Sequence, residues 1–289
     1  MNKGKKRFRS AMCTVLAFLL ALALTLVGVL CVMKVTVLNI GYISHISETS
    51  GYSKAIWQEL KDEFVSYGSA CNVDASFFDG VFETIVTEEM INDYTEESIS
   101  DLYNGNETET DLSELNSKLF DALTVYAEEK GFTLDNNLEE NLKNMSNEMC
   151  DIFRAYTSMY KSSYFRNAFN VMRRYLPLFK WALIGLAIFA LLSLAEIRMF
   201  FAKAKNYLRY YIYATSGATL MLAVGPAIAL IMKLGSRINV ENASLYGVAS
   251  GFINGILTAL LMAAAVTAVI TVLLIILRSI AIKNGQKTE

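Results

Sequence analysis

The sequence predicts an all-α integral membrane protein with four transmembrane helices and an all-helical extracytoplasmic domain inserted between helices 1 and 2. Three observations lead there. Four apolar runs, near residues 11–33, 178–200, 209–232 and 255–277, each match the roughly 20 residues that a helix needs to cross a bilayer core. The long stretch between the first two runs is polar and repeats its apolar residues at helical spacing. Charge is also sharply partitioned. From Asn39 to Phe153 there are 25 Asp/Glu against five Lys/Arg, an imbalance that the whole-chain net charge of −2 conceals.

The elements follow in order. Residues 1–10, MNKGKKRFRS, are a basic segment with five Lys/Arg and no acid. Residues 11–38 hold the first span. A basic start before an apolar run can be a cleaved secretory signal, but this run is longer than a signal core and no A-x-A site closes it, so an uncleaved signal anchor is expected. Residues 39–175 form the acidic helical domain, and 176–200 the second span. The loop 201–208 is flanked by Arg198 and Arg209 and contains Lys203 and Lys205. Residues 209–232 are the third span, 233–252 a short external loop and 253–277 the fourth span. The tail 278–289 carries Arg278, Lys283 and Lys287. Short basic segments mark the cytoplasmic side, so both termini are expected in the cytoplasm of a cell that carries the protein in its plasma membrane.

That orientation puts Arg166, Arg173, Arg174 and Lys180 outside, against their charge. Long translocated domains are largely exempt from the rule. These bases read as a membrane-proximal collar on anionic headgroups, or as a stem that meets the domain's own acids. Basic residues interleaved with Tyr and Phe can also bind nucleic acid, but an outward, membrane-proximal position argues against it. Tyr175, Phe179 and Trp181 suit a membrane interface, and Pro177 is expected near the start of a helix.

Within the domain, Ile56, Leu60, Phe64 and Tyr67 mark a helix ending at Gly68. Asp74 or Ser76 can cap a second helix with Phe78, Val81, Phe82 and Ile85, extending as far as Met90. The piece EESISDLY stops at Asn104-Gly105, a turn signal. Leu112, Leu115, Leu119, Leu123 and Tyr126 mark a helix closed by Gly131. The series Leu138, Leu142, Met145, Met149, Ile152, Tyr156 and Met159 alternates steps of four and three. Neither Pro nor Gly interrupts Thr133 to Leu176, so one long helix running toward the second span is expected. Its seam packs on the other external helices or forms a coiled-coil dimer contact.

Cys71 and Cys150 are the two cysteines of this domain, and an even pair in an oxidising compartment suggests a disulfide. Cys13 and Cys31 lie in the first span and act as small apolar residues. No metal site is expected, since His45 is the sole histidine and the cysteines lack close partners. The acid-dense stretches lack a calcium loop's central glycine. Asn106-Glu-Thr, Asn144-Met-Ser and Asn242-Ala-Ser are acceptor sequons where the source glycosylates secreted asparagines.

In the membrane, Gly247, Gly251, Gly255, Ala259 and Ala263 recur at every fourth position, a glycine-zipper pattern that lets helices approach closely. The partner is a span of the same chain or of a second copy. Pro226 predicts a kink in the third span. No ionisable group sits at mid-membrane, as a proton- or ion-coupled transporter usually requires. The catalytic spacings G-x-S-x-G and H-E-x-x-H and a P-loop are absent, and Ser158-x-x-Lys161 lacks companion motifs. No enzyme activity and no cofactor are therefore expected.

The order of spans resembles that of four-span permeases of the macrolide-exporter and cell-division type, which place their main external domain between spans one and two and work with a separate ATPase. The likeness is confined to span order. Those external domains contain β structure, whereas this one reads as helical. The expected role is that of a non-catalytic membrane protein whose external domain binds a partner or ligand, as an accessory, sensor or scaffold. The expected partners are the bilayer, another membrane or envelope protein and a second copy of the chain. The alternative is a permease or channel subunit with a separate ATPase.

Overall fold

The computed structural model describes residues 3–106, 110–201, 203–239 and 242–286. Thr108 of the first sequon and Lys287 of the basic tail lie outside these residues. Helix makes up 87% of the chain and the described residues contain no strand, so the all-α class holds. Four helices are long and apolar enough to cross a membrane: Arg7–Val35, Phe165–Phe200, Ala204–Ile231 and Ala243–Asn284. The chain divides into two compact units.

The first unit contains the apolar helices α1 (Lys3–Val35), most of α8 (Ser163–Phe200), α9 (Ala204–Ile231) and most of α10 (Ala243–Gln286). Its core joins Cys13, Ala17, Leu20 and Ala21 of α1 to Ala190 and Ile197 of α8 and to Tyr210 and Ala214 of α9. Small residues let α1 and α9 come close. A Cβ at Gly217 would lie 3.2 Å from that of Ala21, and one at Gly28 would lie 3.0 Å from Leu222. Lipid supplies no hydrophobic drive between helices, so this packing holds the pair together. Span hydroxyls bond within their helices or to each other. Thr219 donates to the Thr215 carbonyl at 2.9 Å, and its Oγ1 lies 2.9 Å from that of Thr267 on α10. Helix α9 continues through the buried Pro226 to Ile231.

The second unit contains α2 (Ile40–Thr49), α3 (Tyr52–Ala70), α4 (Ala75–Thr84), α5 (Glu88–Asn104), α6 (Ser113–Glu129), α7 (Asn136–Thr157), a 3₁₀ turn at Met159–Lys161, and the starts of α8 and α10. Thr87 caps α5 by accepting from the Met90 amide at 3.2 Å. Asp135 caps α7 by accepting from the Leu138 amide at 2.7 Å. Gly105, at φ 75°, closes α5 in the left-handed region that glycine adopts without strain. The core is aromatic and aliphatic. Phe64 meets Phe78 and Phe82 edge-on, with ring centroids 6.4 and 5.3 Å apart, and Leu115, Leu119 and Leu123 are fully buried. Each such side chain contributes about 1.5–3 kcal/mol relative to exposure.

Four local expectations are corrected. Gly68 lies inside α3 rather than ending it, and is there as a close-packing residue, since a Cβ would overlap the Phe78 ring. Pro177 lies inside α8, well past its start. No single helix runs from residue 133 into the second span. The chain leaves α7 at Ser158 and re-enters helix at Ser163 without help from Gly or Pro. The break turns Tyr160 into the core, where its hydroxyl lies 2.9 Å from Ser47 Oγ, and turns Lys161 toward Asp101. Finally, the buried stripe of α7 passes through Leu142, Met145, Met149, Phe153 and Thr157. Beyond Met149 the 3.5-residue seam through Ile152, Tyr156 and Met159 drifts off the core face, as a straight helix of 3.6 residues per turn requires.

Candidate interaction site

The second unit contains a groove of about 750 Å³ between α4 and α6. Helix α6 turns Leu115, Leu119, Leu123 and Ala127 inward at every fourth position. That leaves a second face, with Lys118, Asp121, Ala122, Val125, Tyr126 and Glu129, to form one wall. Helix α4 buries Phe78, Val81 and Phe82 and presents Phe77, Gly80 and Thr84 to the groove. A Cβ at Gly80 would meet nothing within 4 Å, so that wall is open. Val125 is 54% exposed in the middle of α6, where a polar residue would cost nothing.

The rim charges are unequal in their engagement. Lys130 pairs with Asp74 at 2.5 Å and Lys118 with Glu114 at 2.7 Å. Side-chain hydrogen bonds donated by Lys130 and Tyr126 hold the Asp74 carboxyl below its usual range, and Asp74 in turn raises Lys130. Asp121 and Glu129 are exposed and take part in none of the described ion pairs. They flank Val125 at four-residue steps, about 12 Å apart along the helix. The groove is thus apolar at its floor and has a negative charge to spare at each end of one wall. No nucleophile and base meet in it.

A second constellation joins α5 to the turn after α7. Lys161 and Asp101 pair at 2.8 Å with side chains only 13% and 10% exposed. Lys161 Nζ also donates to Thr110 Oγ1 at 2.8 Å, and Asn106 donates to Asp101 at 3.2 Å. Glu59 of α3 accepts from both the amide and the hydroxyl of Ser244, at 3.1 and 2.9 Å, in the first turn of α10. A carboxylate there satisfies amides that a helix start leaves open and opposes the positive end of its dipole.

The residues singled out from sequence fall as follows. Arg166 donates to the Lys161 carbonyl at 2.8 Å, and Arg173 to the carbonyls of Leu102 and Tyr103 at 3.0 Å each. These two therefore brace the stem through backbone carbonyls, Arg173 by capping the end of α5. Arg174 and Lys180 are exposed. Cys71 and Cys150 are separate thiols, which corrects the expected disulfide. Cys71 caps α3 and is exposed, whereas Cys150 sits on the buried stripe of α7, where burial pushes its pKa up to about 11. The glycine-zipper expectation is not supported either. Gly247 belongs to the second unit, where a Cβ would lie 3.2 Å from the Ser50 carbonyl oxygen, and Gly251, Gly255, Ala259 and Ala263 of the first unit are only partly buried. The small-residue seam that does form is on α1 and α9. Among the described residues no three His, Cys, Asp or Glu side chains gather as a metal site.

Sequence reasoning missed the groove, Glu59–Ser244 and Asp101–Lys161. The groove had one faint signal, Val125 among acids at four-residue spacing. Compared with protein families, curated proteins and solved structures, the chain matches none.

Proposed function

We propose that this chain is a non-catalytic, multi-pass plasma-membrane protein whose helical domain stands outside the cytoplasm and docks a partner protein. The observation that carries this reading is the α4–α6 groove, with its exposed Val125 and the two carboxylates beside it. An apolar floor with negative ends favours a cationic amphipathic helix of another membrane or envelope protein. The bases at the start of α1, around the α8–α9 connection and at the end of α10 support cytoplasmic termini and an extracytoplasmic helical domain. Glu59 at the first turn of α10 and Arg173 on α5 give the docked state a route into two long helices.

The test is photo-crosslinking in native membranes from position 125, with position 139 on the exposed face of α7 as reference. The reading expects one dominant protein adduct from 125, weakened when Asp121 and Glu129 are both changed to Lys. Equal adducts from both positions, or none from 125, would overturn it. A stoichiometric ATPase as the adduct would replace it with the permease-subunit reading.

A further inference from the structure

Three arginines in the first unit lie on aromatic rings instead of carboxylates. Arg9 of α1 has its guanidinium carbon 4.7 Å from the Phe201 ring centre. Arg198, near the end of α8, lies 6.0 Å from Tyr207, and Arg209 of α9 lies 5.2 Å from Tyr213. The rings are themselves joined. Phe201 stacks on Tyr210 at 5.4 Å, Tyr210 meets Tyr213 edge-on at 6.1 Å, and Tyr207 contacts Tyr211 at 5.5 Å. Two hydrogen bonds anchor the cluster: Ser10 Oγ lies 3.0 Å from Tyr210 Oη, and Tyr211 donates to the Leu194 carbonyl at 2.7 Å. The start of α1, the end of α8 and the start of α9 thus share one cationic, aromatic patch.

Among the described residues no carboxylate pairs with these arginines, and Arg209 donates from its Nε to the Tyr213 hydroxyl. The Arg9 Nε is buried without a hydrogen-bond partner. No side chain caps the first turn of α9. A cavity of about 460 Å³ opens beside these groups, lined in part by Arg198, Phe201, Ala204 and Tyr207. A guanidinium lying on a ring loses motion but keeps its edge N–H groups, which match two oxygens of a phosphate. Ala204 opens a 28-residue helix whose free amides add a partial positive charge on the same side. A general basic flank needs none of this, because lysines free in water would serve it equally well.

The geometry points to a phosphate-binding site at the junction of α1, α8 and α9, with Arg9 and Arg198 as its principal ligands. A phosphodiester of an anionic lipid headgroup and a soluble phosphate share that chemistry. The site is independent of what the α4–α6 groove docks.

The full chain, purified in neutral detergent, would be challenged with phosphatidylglycerol, phosphatidylcholine and inorganic phosphate, and bound molecules counted by native mass spectrometry. Phosphatidylglycerol is expected to outcompete phosphatidylcholine, and Arg9→Gln with Arg198→Gln to weaken its retention about tenfold. Lys205→Gln with Lys283→Gln, which removes two other charges but no ring-mounted arginine, is expected to leave retention within about twofold. Displacement by millimolar inorganic phosphate would uphold the site and assign it to a soluble ligand. Equal losses in the two double variants, or no preference over phosphatidylcholine, would overturn it. If the arginine double variant loses its helical circular dichroism, the single Arg198→Gln variant decides by the same comparison.

Discussion

Replacing Lys161 with Met should cost the helical domain about 3 kcal/mol. Lys161 and Asp101 are 2.8 Å apart and nearly buried. Removing one partner of such a pair strands a charge and typically costs about 3–5 kcal/mol. The lower end applies here, because Asp101 keeps its hydrogen bond from Asn106. At about 4 °C per kcal/mol for a unit of this size, the midpoint should fall by about 12 °C. The Asp101→Asn, Lys161→Met double variant removes the stranded charge and should recover at least half of the loss. Trp57 reports the transition, since its indole donates to the Val86 carbonyl at 3.0 Å and packs edge-on against Phe82. Trp181, the other tryptophan, is 71% exposed and can be changed to Phe to isolate that signal. The measurement is thermal unfolding of the full chain in detergent, followed by Trp57 fluorescence. A loss below about 1 kcal/mol, or equal losses in the single and double variants, would refute the claim that a buried ion pair pins the break after α7.

Other outcomes follow from the same geometry. Cys71 should react with a maleimide at neutral pH while Cys150 resists until unfolding, and non-reducing electrophoresis should reveal no internal bridge. Burial raises the Cys150 thiol from 9.0 to about 11, so the folded state resists ionisation that the unfolded state accepts. Stability should therefore be unaffected by this group below about pH 9 and decline between about pH 9 and 11, and Cys150→Ala should flatten that decline in a pH series of melts. Gly68→Ala should destabilise by about 1–3 kcal/mol, because its methyl group would displace the Phe78 ring. Glu59→Ala should remove both bonds to Ser244 and speed amide exchange over residues 243–247, whereas the melting of α1 and α9 should be unchanged.

Much of the fold could be read from the residues. The four apolar runs, the Gly105 stop of α5 and the leucine stripe of α6 are local signals, and each forms where its chemistry directs, whereas Asp74 precedes α4 without capping it by its side chain. The failures come from contacts across distance. Nothing near Gly68 in sequence announces the Phe78 ring that needs its space. No periodicity marks Ser158–Ser162 as a break, because the cause is the burial of Tyr160 against Ser47 and of Lys161 against Asp101. Ser244 and Glu59 are 185 positions apart, and neither belongs to a motif. The glycine stripe of α10 had the right spacing for close packing, but spacing cannot choose a partner helix. The seam formed on α1 and α9, where alanines and single glycines face each other. The candidate groove was least legible of all, since it consists of the face of α6 left over once the core is satisfied.

Topology is the claim on which the proposed role rests, and single-cysteine labelling in intact cells tests it most directly. In a background with Cys13, Cys31, Cys71 and Cys150 replaced, Ser117→Cys on an exposed turn of α6 and Lys205→Cys at the start of α9 would each be treated with a membrane-impermeant maleimide. The account predicts labelling at 117 in intact cells and at 205 only after the membrane is opened. Labelling at 205 but not at 117 would contradict it, placing the acidic helical domain and its groove in the cytoplasm.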